Sequence, residues 1–161
     1  MLSTHESGLT PGDNSASSYW ITSPLTTLRN ETMLQLEDRG QDSGFWYLFP
    51  DKPVGPSTDM FFVKHEAKHT PISLFENNVA QSYKEIGMAF FRRLGTEHEV
   101  IGCSTYTPLT DPLDKNSEMQ PITLDGFIGY NNRRANVIMR SSAAILTNFY
   151  VANSHMGIEL D

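Results

Sequence analysis

A recurring phrase is the feature that most constrains the fold of this chain. In each copy an apolar strand runs into one or two asparagines, a second short strand follows, and a glycine opens a third. Asn131 and Asn153, in the last two copies, lie 22 residues apart. This period predicts one coil of a right-handed parallel β-helix, in which each coil contributes three short strands. The four copies occupy residues 28–30 with 44–49, 74–80 with 86–90, 126–132 with 135–139, and 145–153 with 157–160.

Asparagine and glycine suit the corners of such a coil for different reasons. Asparagine tolerates the left-handed backbone, and its amide can bond to the asparagine of the next coil, whereas glycine has no Cβ to clash. We expect equivalent corners at Asn78 and at Asn131 or Asn153. The interior residues predicted by the same alignment are Phe75, Phe127 and Leu146. The alternative interpretation is that Asn and Gly mark the hairpin turns of an antiparallel protein.

The predicted fold class is all-β, a pectate-lyase-like solenoid over residues 17–161 preceded by a flexible segment, residues 1–16. We expect inserted loops near residues 50–71 and 92–121, where prolines and polar turns interrupt the coil pattern. The last phrase stops within a strand at residues 157–161. We therefore expect a fragment of a longer helix whose terminal coil is its least stable part.

Composition excludes several classes of function. Twelve Lys and Arg against 19 Asp and Glu leave a formal charge of −7, which argues against nucleic acid or an anionic membrane as the main partner. The single cysteine, Cys103, excludes an internal disulfide and a Cys-rich zinc site. No apolar run reaches the length of a secretory signal or a membrane span. No phosphate loop, calcium loop or dinucleotide fingerprint occurs, so we expect no cofactor.

His65 and His69 form the one pair of histidines at four-residue spacing. Such a pair binds a metal when it shares a helix face and a third ligand is near. The flanking prolines predict a non-helical neighbourhood, and no third ligand is evident. We therefore expect a solvated loop and no metal site.

A carbohydrate hypothesis favours three aromatic side chains, those of Trp20, Trp46 and Tyr47, of which the last two lie within residues 44–49. An exposed indole ring stacks on the apolar face of a sugar. Because alternate residues of a strand face opposite sides, the solenoid interior holds either Trp46 and Leu48 or the three aromatic residues that alternate with them. Those three are Phe45, Tyr47 and Phe49.

Three arginines are the second candidate for saccharide contact. Arg133 and Arg134 follow a pair of asparagines, and Arg140 comes one short strand later. A guanidinium group pairs with a carboxylate through two parallel hydrogen bonds, so these residues suit an acidic sugar. The alternative is that they are solvated or paired with glutamates on an ordinary surface.

Asn30 begins an N-glycosylation triplet, Asn30-Glu31-Thr32. Glycans are attached to such triplets in secreted proteins. The triplet therefore carries meaning if the chain is extracellular.

Six blocks of sequence, in order, resemble the β-helix region of the cell-surface hyaluronidase and cell migration-inducing, hyaluronan-binding protein family, with fibrocystin-like proteins more distant. The resemblance extends over roughly residues 17–160 and is poor at residues 59–68 and 92–121. The blocks are YWITSP at 19–24, LRN at 28–30, SGFWYLF at 43–49, GPS at 55–57, FENNVAQS at 75–82 and GYNN at 129–132.

The resemblance implies a β-helix segment of a large extracellular or cell-surface protein that binds or depolymerises hyaluronan. It implies the polysaccharide and the other domains of the parent protein as partners. It carries over no catalytic residue, because the glycine-rich domain associated with activity in that family is not in this chain. Two alternatives stay open: a structural, protein-contact module of the fibrocystin-like type, and an independent polysaccharide lyase or hydrolase. An enzyme would need clustered carboxylates, for which Glu76 and Asp125 are available.

Overall fold

A computed structural model describes residues 17–34, 43–52, 65–95 and 99–161. The predicted N-terminal segment, residues 1–16, lies outside these residues, as does most of the predicted loop near 50–71. The described residues form twelve strands and one helical turn. In chain order these are β1 Ser17–Ile21, β2 Thr27–Arg29, β3 Thr32–Leu34, β4 Ser43–Pro50, α1 Glu66–His69, β5 Leu74–Gln81, β6 Ile86–Leu94, β7 Val100–Ile101, β8 Ile122–Tyr130, β9 Ala135–Met139, β10 Ala144–Thr147, β11 Tyr150–Ala152 and β12 Met156–Leu160.

The strands form two sheets whose neighbours come from successive coils. Sheet A has the order β1-β4-β6-β9-β12, and sheet B has β10-β8-β5-β2, with β3 beside β5 and β11 beside β8. All of these pairs are parallel, and β7 alone pairs antiparallel, with β6. β8 and β9, on either side of Asn131 and Asn132, belong to different sheets. The parallel β-helix is confirmed, and the antiparallel alternative is wrong.

Two rows of left-handed residues make the corners of sheet B. The first row stacks Asn30, Asn77, Gly126 and Asn148, whose φ angles are 57°, 53°, 65° and 54°. The second row, Ser82, Asn131 and Asn153, has φ angles of 64°, 56° and 54°. The side-chain amide of Asn153 donates to Oδ1 of Asn131, as expected of an asparagine ladder. The 22-residue spacing of these two residues is therefore one coil.

Asn78 corrects one expectation about the corners. Its strand register pairs it with Phe127 rather than with Asn131, so it faces the interior of the coil. The side chain is fully buried, donates to the Leu28 carbonyl oxygen at 3.1 Å and accepts the Glu31 N–H at 3.0 Å. The corner equivalent to Asn131 is Ser82, four residues further on. Insertions make the coils unequal in length, so residue spacing alone assigned this asparagine to the wrong position in the coil.

The glycine that opens the third strand has a packing role. Gly44, Gly87 and Gly157 are each the second residue of a sheet A strand and share one register position with Asn136. A Cβ on Gly87 would lie 2.7 Å from the Asn132 side-chain nitrogen and 2.7 Å from the Asn136 carbonyl oxygen. Glycine thus leaves room for the buried amide of Asn132.

Aromatic side chains fill the interior. The interior set of β4 is Phe45, Tyr47 and Phe49, which belong to the main core. Tyr47 stacks on Phe90 of the next coil with centroids 3.8 Å apart. Phe75 and Phe127 are fully buried, as expected, and Leu146 packs against the core from the last coil.

Candidate functional site

Trp46 lies on the outer face of sheet A and is nevertheless buried, with 2% of its surface exposed. It belongs to an apolar cluster distinct from the main core, because β4 carries apolar residues on both faces. The indole N–H finds no hydrogen-bond acceptor among the residues that the structure describes. Its neighbours in this outer cluster are Leu48, Ile86, Ala89, Ala135 and Ile138, with Phe91, Val100 and Met156 partly buried beside them.

Trp20 brings an aromatic ring to the surface beside Trp46. The two residues are register partners on β1 and β4, and their ring centroids lie 5.2 Å apart. Trp20 is 40% exposed. The ring that a sugar could reach is therefore that of Trp20, with Trp46 packed against it.

A shallow groove lies next to Trp46 on the same face. We call it the Trp46 groove, and it contains about 260 Å³ of open space. Its wall combines apolar, acidic and basic groups from β4, β6 and the turn before β9. The lining residues are Ser43, Trp46, Glu85, Ile86, Phe91, Arg92 and Arg134.

Arg92 carries the unusual charge of this groove. Its guanidinium carbon lies 4.7 Å from the Phe91 ring centroid and 5.8 Å from that of Trp46. Among the residues that the structure describes, no carboxylate pairs with it. Burial lowers the pKa of Arg92, and repulsion from Arg134 lowers it further, while Glu85 opposes both effects. Within the described part of the chain, Arg92 is thus a half-buried cation in no ion pair, and Glu85 of the same groove compensates its charge in part.

The three arginines expected to act together lie at the two ends of β9. Arg133 and Arg134 precede the strand, and Arg140 follows it, which separates them by about 20 Å at ~3.3 Å per residue. Arg134 pairs with Glu85 at 3.2 Å, and Arg140 pairs with Asp161 at 2.6 Å. Of the three, Arg134 alone lines the groove.

Sheet B brings Glu76 and Asp125 together, which the sequence did not indicate. They are register partners on the neighbouring strands β5 and β8. Arg29 pairs with Glu76 at 3.0 Å, and Asp125 accepts hydrogen bonds from Thr147 at 2.6 Å and Asn148 at 2.7 Å. Those two hydrogen bonds lower the pKa of Asp125. This carboxylate is therefore held in its ionised form.

His65 and His69 bond to different partners. His65 Nδ1 lies 2.8 Å from Asp51 Oδ1, and the other oxygen of the buried Asp51 accepts from Arg93. His69 Nδ1 lies 2.9 Å from the Thr107 carbonyl oxygen. The segment forms a helical turn rather than the expected loop, because these bonds attach it to the coil stack. The described part of the chain holds no group of three or more metal-ligating side chains.

Asn30 is an exposed member of the first corner row. Its backbone N–H donates to the carbonyl oxygen of Glu76, in the next coil, at 3.0 Å. The glycosylation triplet therefore presents its amide on the surface.

Comparison with known families decides the relationship. Residues 3–88 match the family described as CEMIP beta-helix, which is more than half of the chain. The chain belongs to the CEMIP beta-helix family. The description of the family agrees with the parallel β-helix fold, and the matched residues include Trp20 and Trp46.

Three human proteins illustrate the similarity of this CEMIP beta-helix chain to longer proteins. It is 26% identical over 156 residues to "Cell migration-inducing and hyaluronan-binding protein", covering 91% of this chain and 11% of that protein. It is 24% identical over 151 residues to "Cell surface hyaluronidase CEMIP2", covering 88% and 11%. It is 24% identical over 148 residues to "Fibrocystin-L", covering 91% and 3%. The chain therefore spans about a tenth or less of the length of these relatives.

In this CEMIP beta-helix chain, none of the described residues lies in a helix with the length and apolar character needed to cross a bilayer.

Sequence reasoning missed Arg92 as a site residue. It stands at the start of the segment, residues 92–121, that was expected to loop out, whereas β6 continues to Leu94. Trp46 lies 46 positions earlier in the chain, so no local pattern links the two. The pair Arg92-Arg93 was the one available signal, a second basic pair beside Arg133-Arg134.

Proposed function

We propose that this chain is a β-helix segment of an extracellular hyaluronan-binding or hyaluronan-depolymerising protein, and that it acts as scaffold and saccharide-contact surface. Membership of the CEMIP beta-helix family supports the proposal, as do the names of two relatives. The observation that carries it is the Trp46 groove, where the Arg92 guanidinium, which pairs with no described carboxylate, lies beside aromatic rings. The other domains of a longer parent protein are the further partners proposed.

The proposed contact surface runs along the outer face of sheet A. Arg134 and Trp46 supply the groove, while Arg133 and Arg140 extend positive charge to the two ends of β9. Trp20 adds an exposed ring. Hyaluronan is a polyanion and the chain carries −7, so the affinity should be weak and should fall as salt rises.

Retention of the chain on immobilised hyaluronan tests this proposal. We expect weak, salt-sensitive retention that drops in the double variant Arg133→Ala/Arg134→Ala. A matched control is Lys115→Ala, which removes a cation from an exposed loop far along the chain. Retention of the double variant equal to that of the parent would place the contact surface elsewhere.

We propose further that the chain has no glycosidase or lyase activity by itself. Hydrolysis by a carboxylate pair needs one neutral carboxylic acid as proton donor, usually with a raised pKa. Asp125 has a lowered pKa, so it is a poor proton donor at neutral pH, and Glu76 lies in an ion pair with Arg29. High-molecular-weight hyaluronan incubated with the chain, with and without calcium, should keep its length. Shortening that copurifies with the protein would support the lyase or hydrolase alternative instead.

A second candidate function is a structural or protein-contact module like those of fibrocystin-type proteins. The match to human "Fibrocystin-L" over 91% of the chain favours it. Absence of hyaluronan retention at low salt would select this candidate, because its work needs no saccharide.

An extracellular location also makes Asn30 a proposed glycosylation site. Its side chain is exposed on a corner of the coil stack. Secretion from a eukaryotic host should give a mass increase that N-glycosidase removes and that Asn30→Gln abolishes. A secreted product without the glycan would contradict this assignment.

A further inference from the structure

The Trp46 groove contains Arg92, whose charge forms no ion pair with a described residue and is compensated in part by Glu85. Arg92 is half-buried, and its only described partners are the rings of Phe91 and Trp46. A cation removed from water without an anion is unfavourable, and cation–π contact offsets part of that cost. The lowered pKa of Arg92 has the same origin, burial followed by repulsion from Arg134. An anion in the groove would relieve both effects.

The remaining donors of the groove point to an oxyanion. Arg134 pairs with Glu85 through one contact of 3.2 Å, and its side chain is 44% exposed, so most of its five N–H donors stay available. The Trp46 N–H has no acceptor among the described residues, but it is buried from solvent, so the donors open to a ligand are those of Arg92 and Arg134. Of the described residues in the lining, Glu85 is the one carboxylate. Donors therefore outnumber acceptors.

The size of the groove limits what can bind. Most of its roughly 260 Å³ is open solvent, and the enclosed part is about 20 Å³, far below the ~300–1,000 Å³ typical of small-molecule sites. Trp46 is only 2% exposed, so the partly buried Phe91 is the ring at the surface of the groove. The groove therefore has room for one carboxylate group, while the sugar ring that carries it lies outside.

We propose that the Trp46 groove binds the carboxylate of one uronate residue, with Arg92 as its main ionic partner and Arg134 as the second. The inference rests on the proposed function for the class of polymer but names a site and residues of its own. A planar carboxylate matches the guanidinium fork through two parallel bonds. Glu85 competes with the ligand for Arg134, so it lowers the affinity of the groove for the ligand.

Nuclear magnetic resonance of the whole chain tests the proposal with sodium glucuronate as the probe. The signal of the Trp46 indole N–H, assigned with the variant Trp20→Phe, reports binding. At constant ionic strength we expect glucuronate to shift this signal and glucose to leave it unmoved. Arg92→Gln should weaken binding about tenfold or more, because a charge-assisted pair is lost. Glu85→Gln should tighten binding, because the competing carboxylate is gone.

Lys115→Gln is the matched control, since it changes the charge equally in an exposed loop, and its affinity should equal that of the parent. The dispersion of the amide signals shows whether each variant is folded. Unchanged glucuronate binding in folded Arg92→Gln, or an equal response to glucose, would overturn the proposal. Glucose 6-sulfate binding as tightly as glucuronate would overturn its preference for a carboxylate. Glucuronate binding without retention on hyaluronan would contradict the proposed function and leave this site standing.

Discussion

At the scale of single residues, hydrogen bonds between coils set the charge of Asp125. Thr147 and Asn148, one coil further on, donate to the same carboxylate oxygen, at 2.6 Å and 2.7 Å. Both bonds favour the ionised form, and the pKa of Asp125 is lowered by them. A carboxylate with a lowered folded-state pKa stabilises the fold above its unfolded pKa, and that contribution disappears as the pH falls through the folded value.

Thr147→Val should therefore raise the pKa of Asp125 toward its ordinary range. The stability of the variant should be reduced at neutral pH, and the difference should vanish at a pH below both pKa values. Carboxyl titration by nuclear magnetic resonance measures the shift. Thr123→Val, an exposed position two residues from Asp125 on the same strand, is the control. A pKa unchanged in Thr147→Val would mean that Asn148 or solvent, not Thr147, stabilises the carboxylate.

Gly87 gives a second test at this scale. A Cβ there would lie 2.7 Å from a backbone oxygen and from the amide of Asn132, so Gly87→Ala should destabilise the protein by about 1–3 kcal/mol through overpacking. A Cβ on Gly102 would have no atom within 4 Å, so Gly102→Ala should be neutral or slightly stabilising. Urea denaturation compares the two variants. Equal midpoints would show that the third strand tolerates a side chain at this position.

At the scale of elements, the corners decide where each strand ends. Residues with positive φ interrupt sheet B in two rows, and in both rows asparagine recurs. For a residue with a Cβ other than Asn or Asp, this conformation costs roughly 1–2 kcal/mol. The left-handed conformation of the corner therefore favours asparagine, aspartate or glycine, and these residues mark where the flanking strands end.

Asn131 allows this cause to be separated from side-chain bonding. Asn131→Ala loses both the left-handed preference and the acceptor for Asn153, and should cost about 1–2 kcal/mol. Asn131→Gly loses only the acceptor, so it should cost distinctly less. The free energies of unfolding of the two variants measure the difference. If the glycine variant is as unstable as the alanine variant, the ladder bond is the dominant effect.

At the scale of the whole molecule, stability should vary along the stack. β5 and β8 each have neighbours on two sides, whereas β10 and β11 pair only with β8, and β12 only with β9, among the described strands. Several apolar side chains of this last coil are exposed, namely Ile145, Tyr150, Ile158 and Leu160. A coil with one paired edge opens more easily than a coil with two.

Hydrogen exchange should show this gradient. Amides of residues 149–158 should exchange faster than those of residues 75–79, because opening the last coil breaks one set of ladder bonds and exposes little core. Sedimentation on the same sample establishes that it is monomeric. Equal protection of the two segments in that sample would mean that the last coil is as stable as the interior of the stack.

The sequence by itself determined the coil type and the corner residues Asn131 and Asn153. Alternation, corner asparagines and opening glycines are local signals, because each depends on backbone conformation within a few residues. They predicted the parallel β-helix, the ladder from Asn131 to Asn153, and the interior positions of Phe75 and Phe127.

Only the tertiary structure decided the register between coils and the contents of the Trp46 groove. Coils with insertions differ in length, so spacing placed Asn78 at a corner, whereas interstrand hydrogen bonds place it inside. Both faces of β4 are apolar, so the pattern left open which set faces inward until neighbouring strands covered each face. Arg92 meets Trp46 and Arg134 across sheet A. Such contacts join residues far apart in the chain, and no local propensity encodes them.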